Sequence, residues 1–200
     1  MGNGRERRGL SLADQQQWVF GNGAIRYFVL GSGQADPFTY TVTAHVDRIK
    51  QISALMDSTN PDLSAFAAYG GKLIIKEHMA DYAQSPFAGI GYYQSVVAKM
   101  GQSTVDNFMR LYVTPGVAHG GAGVSGTTGE PVPQFVDLLS TLDRWVEHGE
   151  SPGDLVQSSA EPDPPFAATA TRPMCRFPNF PRYRGTGNPK LASSFACGAN

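Results

Sequence analysis

The chain has 200 residues, of which 41% are hydrophobic and 16% are charged. This composition is typical of a globular domain with a core and excludes a disordered protein. A formal net charge of -1 and the lack of any apolar run long enough to span a bilayer lead us to expect neither a nucleic acid nor a membrane as a partner.

The first 60 residues carry the weakest periodic pattern. Residues 25–30 form an apolar and aromatic run between glycines, which predicts a strand. Residues 46–56 have apolar side chains at helical spacing and predict a helix. A second short helix is predicted over residues 63–68, with Pro61 near its first turn and two glycines at its end.

The middle of the chain has the pattern of an α/β unit. Four segments alternate between strand and helix: strand 72–76, helix 86–100, strand 108–113 and helix 135–148. This alternation predicts parallel pairing of the strands with right-handed crossovers. The predicted fold class is therefore α/β, with mostly parallel strands and flanking helices, followed after Pro152 by a largely irregular, loop-rich tail.

An acid and a histidine follow the two predicted strands. Asp81 comes shortly after the first strand and His119 shortly after the second. Because the carboxyl ends of parallel strands meet at one edge of a sheet, we expect the two side chains to lie close together. An acid followed by a histidine is the order of the last two members of an α/β-hydrolase triad. Each residue alone has a simpler interpretation, as a turn aspartate or as a loop histidine bonded to backbone.

A serine nucleophile is not evident. The nearest match to the Gly-x-Ser-x-Gly elbow surrounds Ser125, but it lacks the last glycine in register and follows the histidine. Ser32 precedes Asp81, yet the Asp36-Pro37 pair that follows prevents a helix from starting there. Both are most simply interpreted as loop serines.

The two cysteines, Cys175 and Cys197, both lie in the tail. A disulfide between them would tie a segment with little pattern of its own and would imply an oxidising compartment. Two free thiols are the alternative, and we favour the disulfide. Glu77 and His78 lie near Asp81 and suggest a metal site, but the remaining ligands are not evident, so we expect none.

With these residues identified, the chain resembles the C-terminal part of the tannase and feruloyl esterase family. The resemblance covers nearly the whole chain and rests on stretches in a fixed order: Asn-Pro-Asp-Leu-Ser-Ala-Phe at 60–66, Gly-Gly-Lys-Leu-Ile-Ile at 70–75, Ala-Asp at 80–81, Pro-Gly-Val-Ala-His at 115–119, Leu-Asp-Arg-Trp-Val-Glu at 142–147, Thr-Arg-Pro-Met-Cys at 171–175 and Ser-Ser-Phe-Ala-Cys at 193–197.

The resemblance implies a fold and a set of roles. The fold would be the C-terminal part of an α/β-hydrolase: the end of a lid-like insertion over residues 1–40, the hydrolase half over 41–155 and the irregular tail over 156–200. Asp81 would be the triad acid and His119 the triad base. Cys175 and Cys197 would form the family's C-terminal disulfide.

The chain also departs from the family pattern. Gly120 stands where the family often has a cysteine, so the disulfide that this cysteine forms cannot be made. The common His-Gly-x-Ala-Asp stretch is replaced by Glu-His-Met-Ala-Asp at 77–81. The half of the family's catalytic domain that carries the serine elbow has no counterpart here. We therefore expect no cofactor in this chain, since any calcium that family members bind would lie in the absent part of the lid.

The resemblance implies a serine esterase that hydrolyses galloyl or hydroxycinnamoyl esters of plant phenolics, and we expect this chain alone to be inactive. Two alternatives are an inactive truncated remnant and one half of a split enzyme, completed by the missing N-terminal half as a partner. The family implies a secreted or periplasmic protein. Localisation stays open for this chain, because residues 1–10 are polar and lack the apolar segment of a signal peptide.

Overall fold

A computed structural model describes residues 16–160 and 167–199 of the chain. The N-terminal segment, residues 1–10, lies outside the described residues. The chain divides into two units between Thr59 and Asn60. Within the described ranges, no helix is both long enough and apolar enough to cross a membrane.

The smaller unit is helical. Helix α1 (Gln16–Gly23) continues directly into a π-helical turn, Ala24–Val29, and helix α2 (Val46–Met56) follows after a loop. The predicted strand over residues 25–30 is therefore wrong. Gly23 has helical φ and ψ angles of -60° and -47° and continues the helix instead of breaking it. The prediction of α2 is confirmed to the residue.

A parallel pair of strands lies at the centre of the larger unit. Strand β1 (Leu73–His78) and strand β2 (Met109–Thr114) pair in parallel, with Leu73 opposite Met109 and His78 opposite Thr114. Three helices precede or connect these strands: α3 (Ser64–Ala68), α4 (Pro86–Met100) and α5 (Gln102–Val105). The sequence predicted both strands within two residues at each end, and also the long helix between them.

Helix α4 packs its apolar face on this strand pair. Tyr93 and Val96 from the helix are buried with Phe108 and the β2 side chains Met109 and Leu111. The helix begins with Pro86 in its first turn, where the missing N–H costs nothing, and it ends at Gly101 with a φ angle of 82°. Burial of this face holds β1 and β2 side by side, so the loops that follow the two strands begin next to each other.

Helix α6 (Leu138–His148) begins three residues later than predicted. The reason is a cap: the Asp137 carboxylate accepts a hydrogen bond from the Ser140 backbone N–H at 2.9 Å. Trp145 on this helix is 2% exposed, and the Arg110 guanidinium lies over its ring at 4.7 Å from the centroid. The Lys72 ammonium approaches the same ring at 5.5 Å. Both distances are in the range of cation–π contacts, so α6 is held to the strands by a charged and an apolar component together.

The tail is more regular than predicted. Strand β3 (Leu155–Ala160) pairs with β4 (Ala168–Met174), and β5 (Phe180–Tyr183) pairs with β6 (Phe195–Gly198), both antiparallel. The predictions of an irregular tail and of mostly parallel strands are therefore wrong for the described residues. The strands were missed because they are short and two of them contain proline, which is tolerated only at sheet edges.

An ion pair and a backbone β-bridge attach the tail to the centre of the unit. Within the tail, the predicted disulfide joins Cys175 to Cys197. Next to the disulfide, the Arg176 guanidinium contacts the Asp106 carboxylate at 2.9 Å. The backbone of Arg176 also forms a single antiparallel β-bridge with Tyr112 of β2. The end of the chain is therefore tied to the strand that leads into the His119 loop.

The disulfide should contribute measurably to stability. The two cysteines are 22 residues apart, and closing a loop of this length stabilises the folded state by about 3 kcal/mol on a chain-entropy model. We expect the double variant Cys175→Ser, Cys197→Ser to lose about this much free energy of unfolding, measured by urea titration. Reductant should lower the free energy of unfolding of the native chain to that of the variant and leave the value for the variant unchanged. Equal stability of the native chain and the variant without reductant would contradict this role.

Candidate active site

The loops that follow β1 and β2 are joined by backbone hydrogen bonds. The Met79 N–H donates to the Thr114 carbonyl at 3.0 Å, and the Ala80 N–H donates to the Val117 carbonyl at 3.0 Å. The carboxyl ends of parallel strands lie on the same side of the sheet, so the two loops extend the strand pairing by a few residues. This continuation carries Asp81 and His119 towards each other.

The side chains of His119 and Asp81 form a hydrogen-bonded pair. The His119 Nδ1 atom lies 2.9 Å from one carboxylate oxygen of Asp81 and 3.2 Å from the other. Asp81 is largely covered, with 14% of its side chain exposed, whereas the His119 side chain is 48% exposed. The pair therefore has a sheltered acid and an accessible imidazole.

Backbone groups hold the Asp81 carboxylate in place. Its Oδ1 atom accepts hydrogen bonds from the Ala83 N–H at 2.8 Å and from the Gln84 N–H at 3.0 Å. The His119 hydrogen bond, followed by the one from Gln84, lowers the pKa of Asp81 from 3.8 to about 2. The acid is therefore ionised at neutral pH and can only accept hydrogen bonds.

This ionisation determines the tautomer of His119. Since Asp81 has no proton to donate, the proton shared between the pair sits on Nδ1 of His119. In the neutral ring, Nε2 then carries the lone pair. Among residues 60–160 and 167–199, no serine hydroxyl hydrogen-bonds to this ring, and the hydrogen-bond partner of the ring is Asp81. The geometry provides an oriented base whose reactive nitrogen is open to another group.

The two serines that the sequence offers as candidate nucleophiles, Ser125 and Ser32, lie in turns. The Ser125 hydroxyl accepts a hydrogen bond from the Thr128 N–H at 3.2 Å and shares another with the Thr127 hydroxyl at 3.0 Å. The Ser32 hydroxyl accepts one from the Gln34 N–H at 3.3 Å. These are the local contacts of loop serines, and Ser125, which lies in the same unit as His119, is not paired with it.

Other ionisable groups surround the pair without joining it. Burial and then the charge of Asp81 raise the pKa of Glu77, and burial lowers the pKa of Lys76. The Lys76 ammonium donates to the Gln134 carbonyl at 2.6 Å. Burial, followed by the charge of Lys76, lowers the pKa of His78.

The structure does not gather Glu77, His78 and Asp81 into a metal-binding group. Among the described residues, the one cluster of three potential ligand atoms within 4.8 Å of one another comprises Asp154, Cys175 and Cys197. The two sulfur atoms in that cluster are joined as the disulfide, and so are not thiolates. The expectation that this chain holds no cofactor stays a prediction.

Two neighbours of His119 were missed from the sequence. The Tyr82 ring lies edge-on to the imidazole, with 6.3 Å between the ring centroids, and is 62% exposed. The His78 ring lies beside Gly121, two residues after His119, since a Cβ atom added to this glycine would be 3.8 Å from the His78 Cε1 atom. The position of Tyr82 directly after Asp81 was a usable signal, whereas the His78 contact depends on the path of the second loop.

Comparison with known proteins identifies related chains. A family model described as "Tannase and feruloyl esterase" matches residues 8–198. An "Uncharacterized esterase" of Agrobacterium fabrum is 38% identical over 151 residues, which is 76% of this chain and 26% of that protein. A "Probable feruloyl esterase" of Arthroderma benhamiae is 35% identical over 185 residues, or 90% of this chain and 33% of that protein.

A solved structure has the same fold over most of the chain. Feruloyl esterase B from Aspergillus oryzae superposes with a TM-score of 0.74 at 25% identity, covering 88% of this chain and 36% of that one. The chain therefore spans about a quarter to a third of the length of these curated relatives.

The Asp81–His119 pair should make the stability of the chain depend on pH in the acid range. Asp81 has a lower pKa when folded, about 2, than its ordinary value of 3.8. Its ionised form therefore stabilises the fold above the ordinary value, and this contribution is lost as the pH falls towards 2. Relative to Asp81→Asn, the native chain should keep a constant advantage in free energy of unfolding at neutral pH. The advantage should shrink progressively below about pH 5.

Urea unfolding at a series of pH values measures this difference. Because the His119 hydrogen bond is the largest cause of the low pKa, repeating the comparison in a His119→Ala background should give a smaller pH-dependent change. A difference between native and Asp81→Asn chains that is the same from pH 5 to pH 2 would contradict the pairing.

Proposed function

This chain belongs to the tannase and feruloyl esterase family, and we propose that it is the C-terminal part of a serine carboxylic ester hydrolase in which Asp81 is the triad acid and His119 the triad base. One observation carries the proposal: an ionised aspartate, held by two backbone N–H groups, binds Nδ1 of a half-exposed histidine. That is the arrangement by which an acid orients a general base and stabilises the imidazolium formed during catalysis.

The nucleophile in this proposal is a serine outside the described residues and N-terminal to Asp81, in the order of an α/β-hydrolase triad. Its hydroxyl attacks the ester carbonyl while Nε2 of His119 removes its proton. The tetrahedral intermediate collapses, His119 gives the proton to the departing alcohol, and an acyl-serine remains. Water, deprotonated by the same nitrogen, then releases the acid and restores the serine.

The open edge of β1 supports the interpretation as part of a larger sheet. All six residues of β1 are only partly buried, whereas five of the six residues of β2 are buried. Among the described residues, β1 has one strand neighbour, β2. Parallel sheets are normally buried within a larger α/β fold. We therefore propose that a strand from the serine-bearing half pairs with the open edge of β1, whether that half is joined covalently or is a separate chain.

The proposed substrates are esters of plant phenolic acids, galloyl or hydroxycinnamoyl. The support is the family description and the name of the Arthroderma benhamiae relative, a "Probable feruloyl esterase". The exposed Tyr82 ring beside His119 offers an aromatic surface at the place where such an acid would approach.

A chimera tests the proposal directly. In the Arthroderma benhamiae relative, the segment that aligns with this chain is replaced by this chain, and hydrolysis of methyl ferulate and methyl gallate is measured. We expect the chimera to be active and His119→Ala to lower its kcat by at least about 10³-fold, because a triad base acts only in the transition state. His148→Ala, at the exposed end of α6, is the matched control and should leave kcat unchanged. An active chimera that keeps its kcat after His119→Ala would refute the proposal.

The isolated chain should not hydrolyse these esters, because no serine of residues 60–160 and 167–199 is paired with His119. Turnover of methyl ferulate is measured with the purified 200-residue chain and with its His119→Ala variant, and both should match the buffer rate. Turnover by the native chain that disappears in the variant would mean that the nucleophile lies within the 200 residues.

A further inference from the structure

The segment that carries His119 is a narrow loop whose two arms lie against each other. The outgoing arm follows β2 and includes Gly116, and the returning arm includes Gly123. Nearer the far end, the Ala118 N–H donates to the Ala122 carbonyl at 2.7 Å, and a single 3-10 turn lies between these two residues. His119 therefore lies at the tip of the loop, and Gly116 and Gly123 lie at its base.

The base of the loop is closed by direct backbone contact. A Cβ atom added to Gly123 would overlap the carbonyl oxygen of Gly116 and would lie only 3.1 Å from its carbonyl carbon. The φ angle of Gly123 is not in the left-handed region, so an unusual backbone conformation is not what calls for glycine here. The reason is the carbonyl of Gly116, which occupies the space of a side chain.

Val132 lies beside both glycines. Its N–H donates to the Gly123 carbonyl at 3.0 Å. A Cβ atom added to Gly123 would lie 2.9 Å from the Cγ2 atom of Val132, and one added to Gly116 would lie 3.7 Å from its Cγ1 atom. The same side chain therefore packs over both arms, and the base of the loop has no room into which a displaced carbonyl could move freely.

The base is also attached to the turn that presents Asp81. Val117, which directly follows Gly116, is fully buried. Its carbonyl accepts the N–H of Ala80, the residue before Asp81, at 3.0 Å. A shift of the Gly116 carbonyl would move Val117, and with it the hydrogen bond that aligns the two loops of the site.

The tip of the loop does not fix the direction of His119 by itself. Gly120 and Gly121 have φ angles of 82° and 85°, and glycines in this region leave the backbone permissive. The His119 side chain is 48% exposed, so packing surrounds it only in part. Its direction therefore depends on how the two arms are held together at the base.

We propose that Gly123 is a positioning residue: its lack of a Cβ atom lets the Gly116 carbonyl lie against it, and this closure of the loop base holds the His119 imidazole on Asp81. The catalytic meaning of the inference rests on the proposed function, whereas the closure belongs to this chain and can be measured without activity. In the proposed reaction Gly123 touches neither the ester nor the serine.

The test is Gly123→Ala in the full 200-residue chain, which adds the one atom that the Gly116 carbonyl excludes. The readout is the tautomer of the His119 ring, measured by nitrogen NMR at a pH where the ring is neutral, with His119→Ala to identify its signals. The hydrogen bond that a histidine ring makes determines which nitrogen carries the proton. A loss of stability that leaves the chain folded does not change this signature.

Gly126→Ala is the matched control. It is the same substitution three positions along the chain, but nothing lies within 4 Å of the added atom, and the φ angle of Gly126 is not in the left-handed region either. A second variant, Val132→Ala in the Gly123→Ala background, removes the side chain beside the added atom and leaves the Gly116 carbonyl in place.

We expect Gly123→Ala to lower the ratio of the Nδ1–H to the Nε2–H tautomer of His119 by at least about tenfold, the effect of losing a hydrogen bond to a charged group. Gly126→Ala should leave the ratio unchanged. Val132→Ala should not restore the ratio in the Gly123→Ala chain, because the obstacle is the backbone carbonyl.

A native ratio in a folded Gly123→Ala chain would overturn the inference. An equal fall in Gly126→Ala would do so too, since the loop would then respond to any added atom. Restoration by Val132→Ala would make that side chain the obstacle instead of the carbonyl. Unfolding by Gly123→Ala, with Gly126→Ala folded, would make Gly123 a residue of the fold in general. An inactive chimera leaves these measurements unaffected, so failure of the proposed function and failure of this inference are distinguishable.

Discussion

The parallel pairing of β1 with β2 determines where the acid and the histidine can meet. Two parallel strands in register leave their chain ends at the same edge, and here the register holds to the last residue of each strand, His78 opposite Thr114. The backbone bonds from Met79 and Ala80 carry this alignment into the loops. An antiparallel pair would have put Asp81 and His119 at opposite ends of the sheet. The packing of α4 and the attachment of the tail to β2 serve the site by keeping this pair of strands in place.

The electrostatic character of the site comes from short-range hydrogen bonds. Asp81 keeps its charge because His119 and two N–H groups from the following turn bind it, so its low pKa does not require a buried cation. Burial and the charge of Lys76 lower the pKa of His78, which favours its neutral form. A charged acid and a neutral neighbour on the same strand end give His119 a single preferred partner. The orientation of His119 therefore depends on short-range contacts within and between the loops that follow β1 and β2.

The parts that could be predicted from the sequence are those that local pattern decides. The strands β1 and β2 and the helix α4 between them have clear periodicity, and glycine or proline marks their ends. The proximity of Asp81 to His119 followed from topology alone. The strands after Leu155 were missed because each is short and finds its partner elsewhere in the tail. Residues 25–30 have strand-forming side chains, yet they continue a helix, since a strand also needs a neighbour that composition cannot reveal. The approach of the His78 ring to Gly121 depends on the path of a glycine-rich turn, which leaves no periodic signal.

Trp145 in α6, which lies against two cationic side chains, can serve as a fluorescence reporter of the fold. The chain has two tryptophans, and they fall in different units. Trp18 stacks on Phe38 in the smaller unit, with 5.1 Å between ring centroids. Trp145 is buried against Arg110 of β2 and near Lys72, the residue before β1. With Trp18 replaced by phenylalanine, the remaining fluorescence would come from the junction of α6 with both strands. The wavelength of that emission would then show whether the strand pair that leads to Asp81 and His119 is assembled.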